Sequence, residues 1–140
     1  MAHGEADARM AIEAQRRRMN EGAVEDVNRR ISDRYFGVFC LASAGSYETY
    51  NAQQIREGNL ASDRYYRQEL KKTPIWNYTD LEIGMRGDNE CVIASRIDFT
   101  LDGDLIMHAL VTEVYAFENG DWMLARQYME KYRPIVGSTY

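Results

Sequence analysis

From Cys91 to Tyr132 the chain sets long apolar-rich, β-prone runs against two short polar breaks, in the order CVIASRIDFT, LDG, DLIMHALVTEVYAF, ENG and DWMLARQYMEKY. Asp102-Gly103 and Asn119-Gly120 tolerate the positive φ of tight hairpin turns, so the pattern predicts two hairpins that share their middle strand. With Asn119-Gly120 central in the second turn, Phe117 falls opposite Trp122, Glu113 opposite Arg126, Thr112 opposite Gln127 and His108 opposite Lys131. Side chains along a strand alternate between faces. One face then carries Met107, Ala109, Val111, Glu113, Tyr115, Phe117, Trp122, Leu124, Arg126 and Tyr128, and the other Ile106, His108, Leu110, Thr112, Val114, Ala125, Gln127 and Met129. Both faces are apolar enough to need cover, one from helices and the other from a second copy of the chain.

The first turn admits two registers. A two-residue Asp102-Gly103 turn pairs Asp98 with Met107 and Arg96 with Ala109, which sets them beside Glu113 and Arg126. A three-residue Leu101-Asp102-Gly103 loop with a bulge pairs Asp98 with Ile106 and Arg96 with His108, which gathers Arg96, Asp98, His108, Thr112 and Gln127 on one wall.

Upstream, helical spacing predicts a first helix from about Glu5 to Asn20 with the stripe Ala8, Ala11, Ile12 and Met19. Arg16-Arg17-Arg18 near its end suits the helix dipole and reads either as a solvated helix end or as an anion site. Asn20-Glu21-Gly22 breaks this helix, and a second runs through Val24, Val27 and Ile31 to about Asp33. Tyr35 to Ala42 reads as a short buried strand, with a turn at Ala44-Gly45-Ser46 leading into Tyr47–Tyr50. Asn51 and Gln54 have capping-box spacing for a third helix, which Gly58-Asn59 interrupts before a further helical stretch from Leu60 to Lys72 and a stop at Pro74. Ile75 to Met85 predicts the strand before the meander, and only the tail after Arg133-Pro134 lacks a pattern. Helices first and a long antiparallel meander last is the order of an α+β domain. The expectation is one domain over residues 1–140, its N-terminal helices packed on a strongly curved, mostly antiparallel sheet.

The length of 140 residues lets such a core close without staples. A net charge of −5 and a pI near 5.1 argue against a nucleic-acid or acidic-membrane partner. Cys40 and Cys91 lie in apolar runs without metal or redox spacing and read as reduced core thiols. The charged start MAHGEADARM and the lack of a long apolar run point to a cytoplasmic protein rather than a secreted or membrane-spanning one. Neither metal-ligand spacing nor a phosphate loop, dinucleotide fingerprint or nucleophile elbow is present, so no metal and no cofactor is expected.

Arg96 and Asp98, two apart on a strand, share a face and can pair, and a carboxylate in an apolar pocket has a tunable pKa suited to proton transfer. The same pair also reads as a structural ion pair on a half-exposed sheet. His108 sits among apolar residues, either as a general base reached by Arg96 and Asp98 or as a satisfied histidine opposite Lys131. The tyrosines Tyr35, Tyr47, Tyr50, Tyr65, Tyr66 and Tyr78 surround the expected mouth, where their hydroxyls can donate to a ligand oxygen or simply line the rim.

The helix break at Asn20-Glu21-Gly22, the segment ISDRYFGVF from Ile31 to Phe39 and the ending FENGDWMLARQYMEKY resemble the nuclear transport factor 2-like superfamily. This is the cystatin-like cone shared by SnoaL-like polyketide cyclases, ketosteroid isomerases, scytalone dehydratases and limonene epoxide hydrolases. The resemblance covers most of the chain and implies a fold more than an activity. Arg96-Ile97-Asp98 is similar to the Arg-x-Asp pair of the epoxide hydrolases, but their second Asp falls at Gln127. The isomerase base falls near Phe39 or Cys40, and the dehydratase Asp at Ala23, so each known activity lacks a part. The resulting expectation is a homodimer whose apolar pocket binds a small apolar, aromatic or polyketide-like molecule. Asp98, His108 and Arg96 are its candidate catalytic groups, and Tyr35, Phe39, Tyr50, Thr112, Gln127 and Met129 its candidate ligand-lining residues. The reaction class would be cofactor-free isomerisation, cyclisation, dehydration or hydrolysis. The alternative is a non-catalytic binding or assembly module dimerising through the face of Glu113, Tyr115, Trp122 and Arg126.

Overall fold

The computed structural model describes residues 4–41 and 45–132. Helix α1 spans Glu5–Glu21 and α2 Val24–Arg29, followed by strands β1, Ile31–Cys40, and β2, Tyr47–Asn51. Helix α3, Ala52–Arg64, continues into a π-helical turn at Tyr65–Glu69. Strands β3, Pro74–Arg86, β4, Glu90–Leu101, β5, Asp104–Glu118, and β6, Asp121–Tyr132, complete the chain. They form one six-stranded sheet in the order β2-β1-β6-β5-β4-β3, in which only β1 and β6 run parallel. The helices lie on its concave side, and the core is built there from Ala8, Ile12, Ile31, Phe39, Ile55, Ile93, Ile97, Val111, Trp122 and Leu124 among others. The α+β expectation holds. The predicted ends at Ala42 and Ala44, and the tail after Arg133-Pro134, lie outside the described residues.

Both hairpins form where Asp-Gly and Asn-Gly demand them, with positive φ at Asp102, Gly103, Asn119 and Gly120. The pairings differ from each expected register because β5 and β6 each carry one extra residue. Leu101 pairs with Asp104 across a two-residue turn, but Ile106 bulges out, so Phe99 meets Met107, Asp98 meets His108 and Arg96 meets Leu110. In β6 the pairing Tyr115–Leu124 is followed by Val114–Arg126, with Ala125 as the extra residue. Beyond it Glu113 lies opposite Gln127, Thr112 opposite Tyr128 and Ala109 opposite Lys131, in place of the expected Arg126, Gln127 and His108 partners. A bulge changes which face the residues beyond it occupy and deepens the local twist, and here it bends the sheet into a cone. Gln127 and Met129 therefore join Glu113 inside, while Arg126 points outward to Glu90, 2.8 Å away.

The helical boundaries also moved for identifiable reasons. Helix α2 stops at Arg29 rather than near Asp33, because Ile31 pairs with Leu124 and Arg30 O accepts the Leu124 amide at 2.9 Å. The Asn51–Gln54 capping box is present with both of its hydrogen bonds. Helix α3 does not break at Gly58-Asn59: Asn59 bonds Asn28, and Arg56 bonds the Asn28 and Ile31 carbonyls. These ties to α2 and β1 offset the ~1 kcal/mol that a glycine costs within a helix. Pro74 opens β3 and pairs with Leu101 instead of merely ending the helix. In α1, Gln15 is buried and donates to Val27 O at 2.9 Å, which fastens α1 to α2.

Candidate functional site

The cone encloses a cavity of about 220 Å³. Its wall is largely apolar, from Met19, Ile55, Phe39, Tyr66, Trp76, Phe99, Met107 and Met129, and a few polar groups interrupt it: Gln15, Arg16, Asn59, Ser62, Glu113, Gln127 and Lys131. A mostly apolar concavity with few converging polar groups is the usual form of a small-molecule site, and this volume lies below that of drug-sized pockets.

Glu113 sits in the middle of β5, facing inward, and is 3% exposed. Burial pushes its carboxyl above the ordinary glutamate range, opposed by the nearby Arg16 cation and the Gln127 hydrogen bond and assisted by Asp80. Gln127 Nε2 donates to Glu113 Oε2 at 2.7 Å, and the Tyr35 hydroxyl donates to Gln127 Oε1 at 2.7 Å. The amide is thereby oriented by two partners, and among the described residues Glu113 Oε1 has no hydrogen bond. Burial also raises the Tyr35, Tyr78 and Tyr115 phenols, so all three stay protonated donors.

Arg16 reaches the same wall from α1. Its Nη1 donates to Asp80 Oδ1 at 2.8 Å, its Nη2 to Ser95 Oγ at 3.1 Å, and Ser95 in turn donates to Asp80 at 2.9 Å. The guanidinium lies 3.9 Å over the Tyr78 ring, and its buried Nε–H has no acceptor. Arg16 is thus a structural cation with one spare donor, not part of a solvated helix end. The triplet hid it: Ile12, Gln15, Arg16 and Met19 share the inward face at helical spacing.

The sequence-derived candidates divide between the two faces. Phe39, Tyr50, Gln127 and Met129 line the cavity, and Tyr35 stands behind Gln127. Thr112 is exposed on the convex face. Asp98 and His108 do come together, Oδ1 to Nδ1 at 2.7 Å, with Arg96 Nε 3.8 Å from the same oxygen, but on the convex face and away from the cavity. Glu113, Tyr115 and Trp122, expected on an outer dimer face, are interior. Sequence reasoning missed Glu113 and Arg16 as site residues, although a lone carboxylate within the run LVTEVYAF was a visible signal. Among the described residues no three His, Cys, Asp or Glu side chains converge as metal ligands, and no described helix is long and apolar enough to cross a membrane.

No protein-family model and no curated protein matches the chain. Solved structures do resemble it in fold. An NTF2-like protein of unknown function from Pseudomonas putida KT2440 superposes with a TM-score of 0.70 at 10% identity, over 90% of this chain and 84% of that one. For a ketosteroid isomerase-like protein from Erwinia carotovora atroseptica SCRI1043 the values are 0.64 and 15%, over 93% and 97%. A protein of unknown function with a cystatin-like fold from Nostoc punctiforme PCC 73102 gives 0.61 and 15%, over 94% and 95%. At such identities the likeness carries architecture and not activity. Curved sheet, enclosing helices and closing hairpin together place this chain in the nuclear transport factor 2-like fold.

Proposed function

We propose that the cone binds a small, largely apolar organic molecule and catalyses cofactor-free proton transfer on it, with Glu113 as the acid/base. One observation carries this reading: a buried carboxyl, raised in pKa and held by an oriented amide, faces an apolar cavity. A base near neutrality is the most effective proton-transfer agent at physiological pH, and burial moves a carboxyl in that direction. The Arg16 cation borders the same cavity beside Glu113 and favours a ligand oxygen on which negative charge develops, as in enolisation. Isomerisation, cyclisation and dehydration next to a carbonyl all begin with that step. The test is deuterium uptake from solvent into a panel of small cyclic enones and ketones, followed by NMR. Wild type should exchange the α-proton, and Glu113→Gln should slow it by about 10²–10⁴-fold. Wild-type exchange that survives in Glu113→Gln would remove Glu113 from the role.

The convex face supports a second element of the proposal, homodimerisation. Phe36, Ile106, Leu110 and Tyr128 are each more than 40% exposed there, around the Arg96–Asp98–His108 cluster. In this reading the cluster serves the interface, as a non-catalytic assembly module would use it, and the chemistry stays inside.

A further inference from the structure

Lys131 is the one inward-facing cation of β6, and its surroundings are wrong for a structural lysine. Lysines on a protein rim normally bury the stem and extend the ammonium into water. Lys131 instead lines the cavity, with Nζ 5.3 Å from the centroid of the Phe39 ring. Burial lowers its pKa, opposed by the carboxylate of Glu48. Glu48 is not within ion-pair distance, and its carboxylate accepts the Tyr50 hydroxyl at 2.7 Å. Among the described residues Lys131 makes neither a hydrogen bond nor a salt bridge. The other cavity cation, Arg16, is already neutralised by Asp80. Among the described residues no carboxylate lies within ion-pair distance of this half-buried ammonium, and an anion brought by the ligand would offset the cost of its burial.

We propose that the cavity selects small organic acids, the ligand's carboxylate pairing with Lys131 Nζ while its apolar body lies along Phe39, Trp76, Phe99 and Met129. This rests on the cavity being a ligand site, as proposed above, and adds which molecules enter it. Gln127, Met129 and Lys131 follow one another on the inward side of β6, so the Cα atoms of Gln127 and Lys131 stand about 13 Å apart along the strand. The flexible lysine arm shortens that span. A ligand of one substituted ring, with its carboxylate toward Lys131, then presents its far end to Glu113. Glu113 then stands at the end of the ligand away from its carboxylate, where it can act in the proposed proton transfer.

The test is binding of a matched pair, cinnamate and methyl cinnamate, measured by chemical-shift titration of the labelled protein. The two share ring and length and differ in charge. Cinnamate should bind wild type about tenfold or more tightly than the ester, as expected for one charge-assisted contact. Lys131→Met should abolish that preference without weakening the ester, and Lys131→Arg should retain it. Equal binding of acid and ester to wild type, or a preference that survives in Lys131→Met, overturns the role of Lys131 and leaves the cavity as a neutral-ligand site. Shifts confined to residues outside the cone, or no binding of either compound, overturn the cavity reading itself and this inference with it.

Discussion

The two faces of the β4–β5–β6 sheet carry similar chemical groups in opposite surroundings. Outside, Asp98 meets His108 at 2.7 Å with Arg96 nearby, and their side chains keep 33%, 27% and 48% of their exposure. Inside, Glu113 meets Gln127 at the same 2.7 Å, with Tyr35 behind and Arg16 across the wall, and only 3% of Glu113 is exposed. Water screens the outer cluster, so its ion pairs contribute little to stability and its carboxylate keeps its hydration. The inner carboxyl has lost that hydration, and its protonation is set by the protein. Hydrogen-bond geometry alone would rank the clusters as equals, but the dielectric around them separates a reactive group from a surface one.

Substitutions that exploit this difference should have very unequal effects. The largest is expected at Gln127→Leu, which strands the buried Glu113 and Tyr35 polar groups at about 1–3 kcal/mol each. Urea unfolding should show the loss, and the Glu113 carboxyl should move further upward because its hydrogen-bond donor is gone. Next comes Gly37→Ala. A Cβ there would collide with the Tyr35 hydroxyl and ring, pushing Tyr35 off Gln127 at an expected ~1–3 kcal/mol by the same unfolding assay.

Outside, Leu110→Arg, at a site 43% exposed in the isolated chain, should leave the unfolding of a monomer within about 0.5 kcal/mol. For the proposed homodimer, sedimentation should nevertheless show dissociation shifted by about tenfold or more, from a charge placed in an apolar contact. Asp98→Asn should change stability by less than about 1 kcal/mol, as for other exposed pairs. The last effect is a gain. Gly58 lies in α3 on the cavity wall, with nothing within 4 Å of an added Cβ, so Gly58→Ala should stabilise the chain by about 0.5–1 kcal/mol in the same unfolding assay.

Much of this architecture was legible in the chain itself. Asp102-Gly103, Asn119-Gly120 and Asn51–Gln54 announce their turns and cap through local chemistry that needs no tertiary context. Phe39, Tyr50, Gln127 and Met129 line the cavity, Gln127 beside Glu113 rather than on one wall with Arg96, Asp98, His108 and Thr112 as the bulged register implied. The faces of the meander were not legible, because nothing local marks Ile106 and Ala125 as extra residues. Their bulges follow from the need to curve the sheet around the helices, a property of the whole fold. One such residue in β6 exchanges Arg126 for Gln127 beside Glu113, and the one in β5 brings Asp98 against His108. A charged strand residue such as Glu113 reads as a surface ion pair until the register shows that it faces the core.

The central claim, that the reactive carboxyl is the buried one inside the cone, is tested most directly by following the Glu113 side-chain carbon by NMR across pH. Because the folded pKa is raised, the folded chain holds this proton after the unfolded chain, with a pKa of about 4.3, has released it. Folding stability should therefore fall as pH rises through that window, and Glu113→Gln should remove this component. The account predicts a Glu113 midpoint above the ordinary glutamate value, moving higher in Gln127→Leu. A midpoint at or below the ordinary value, unmoved by Gln127→Leu, would mean that water reaches Glu113 and that the cone holds no tuned acid/base group.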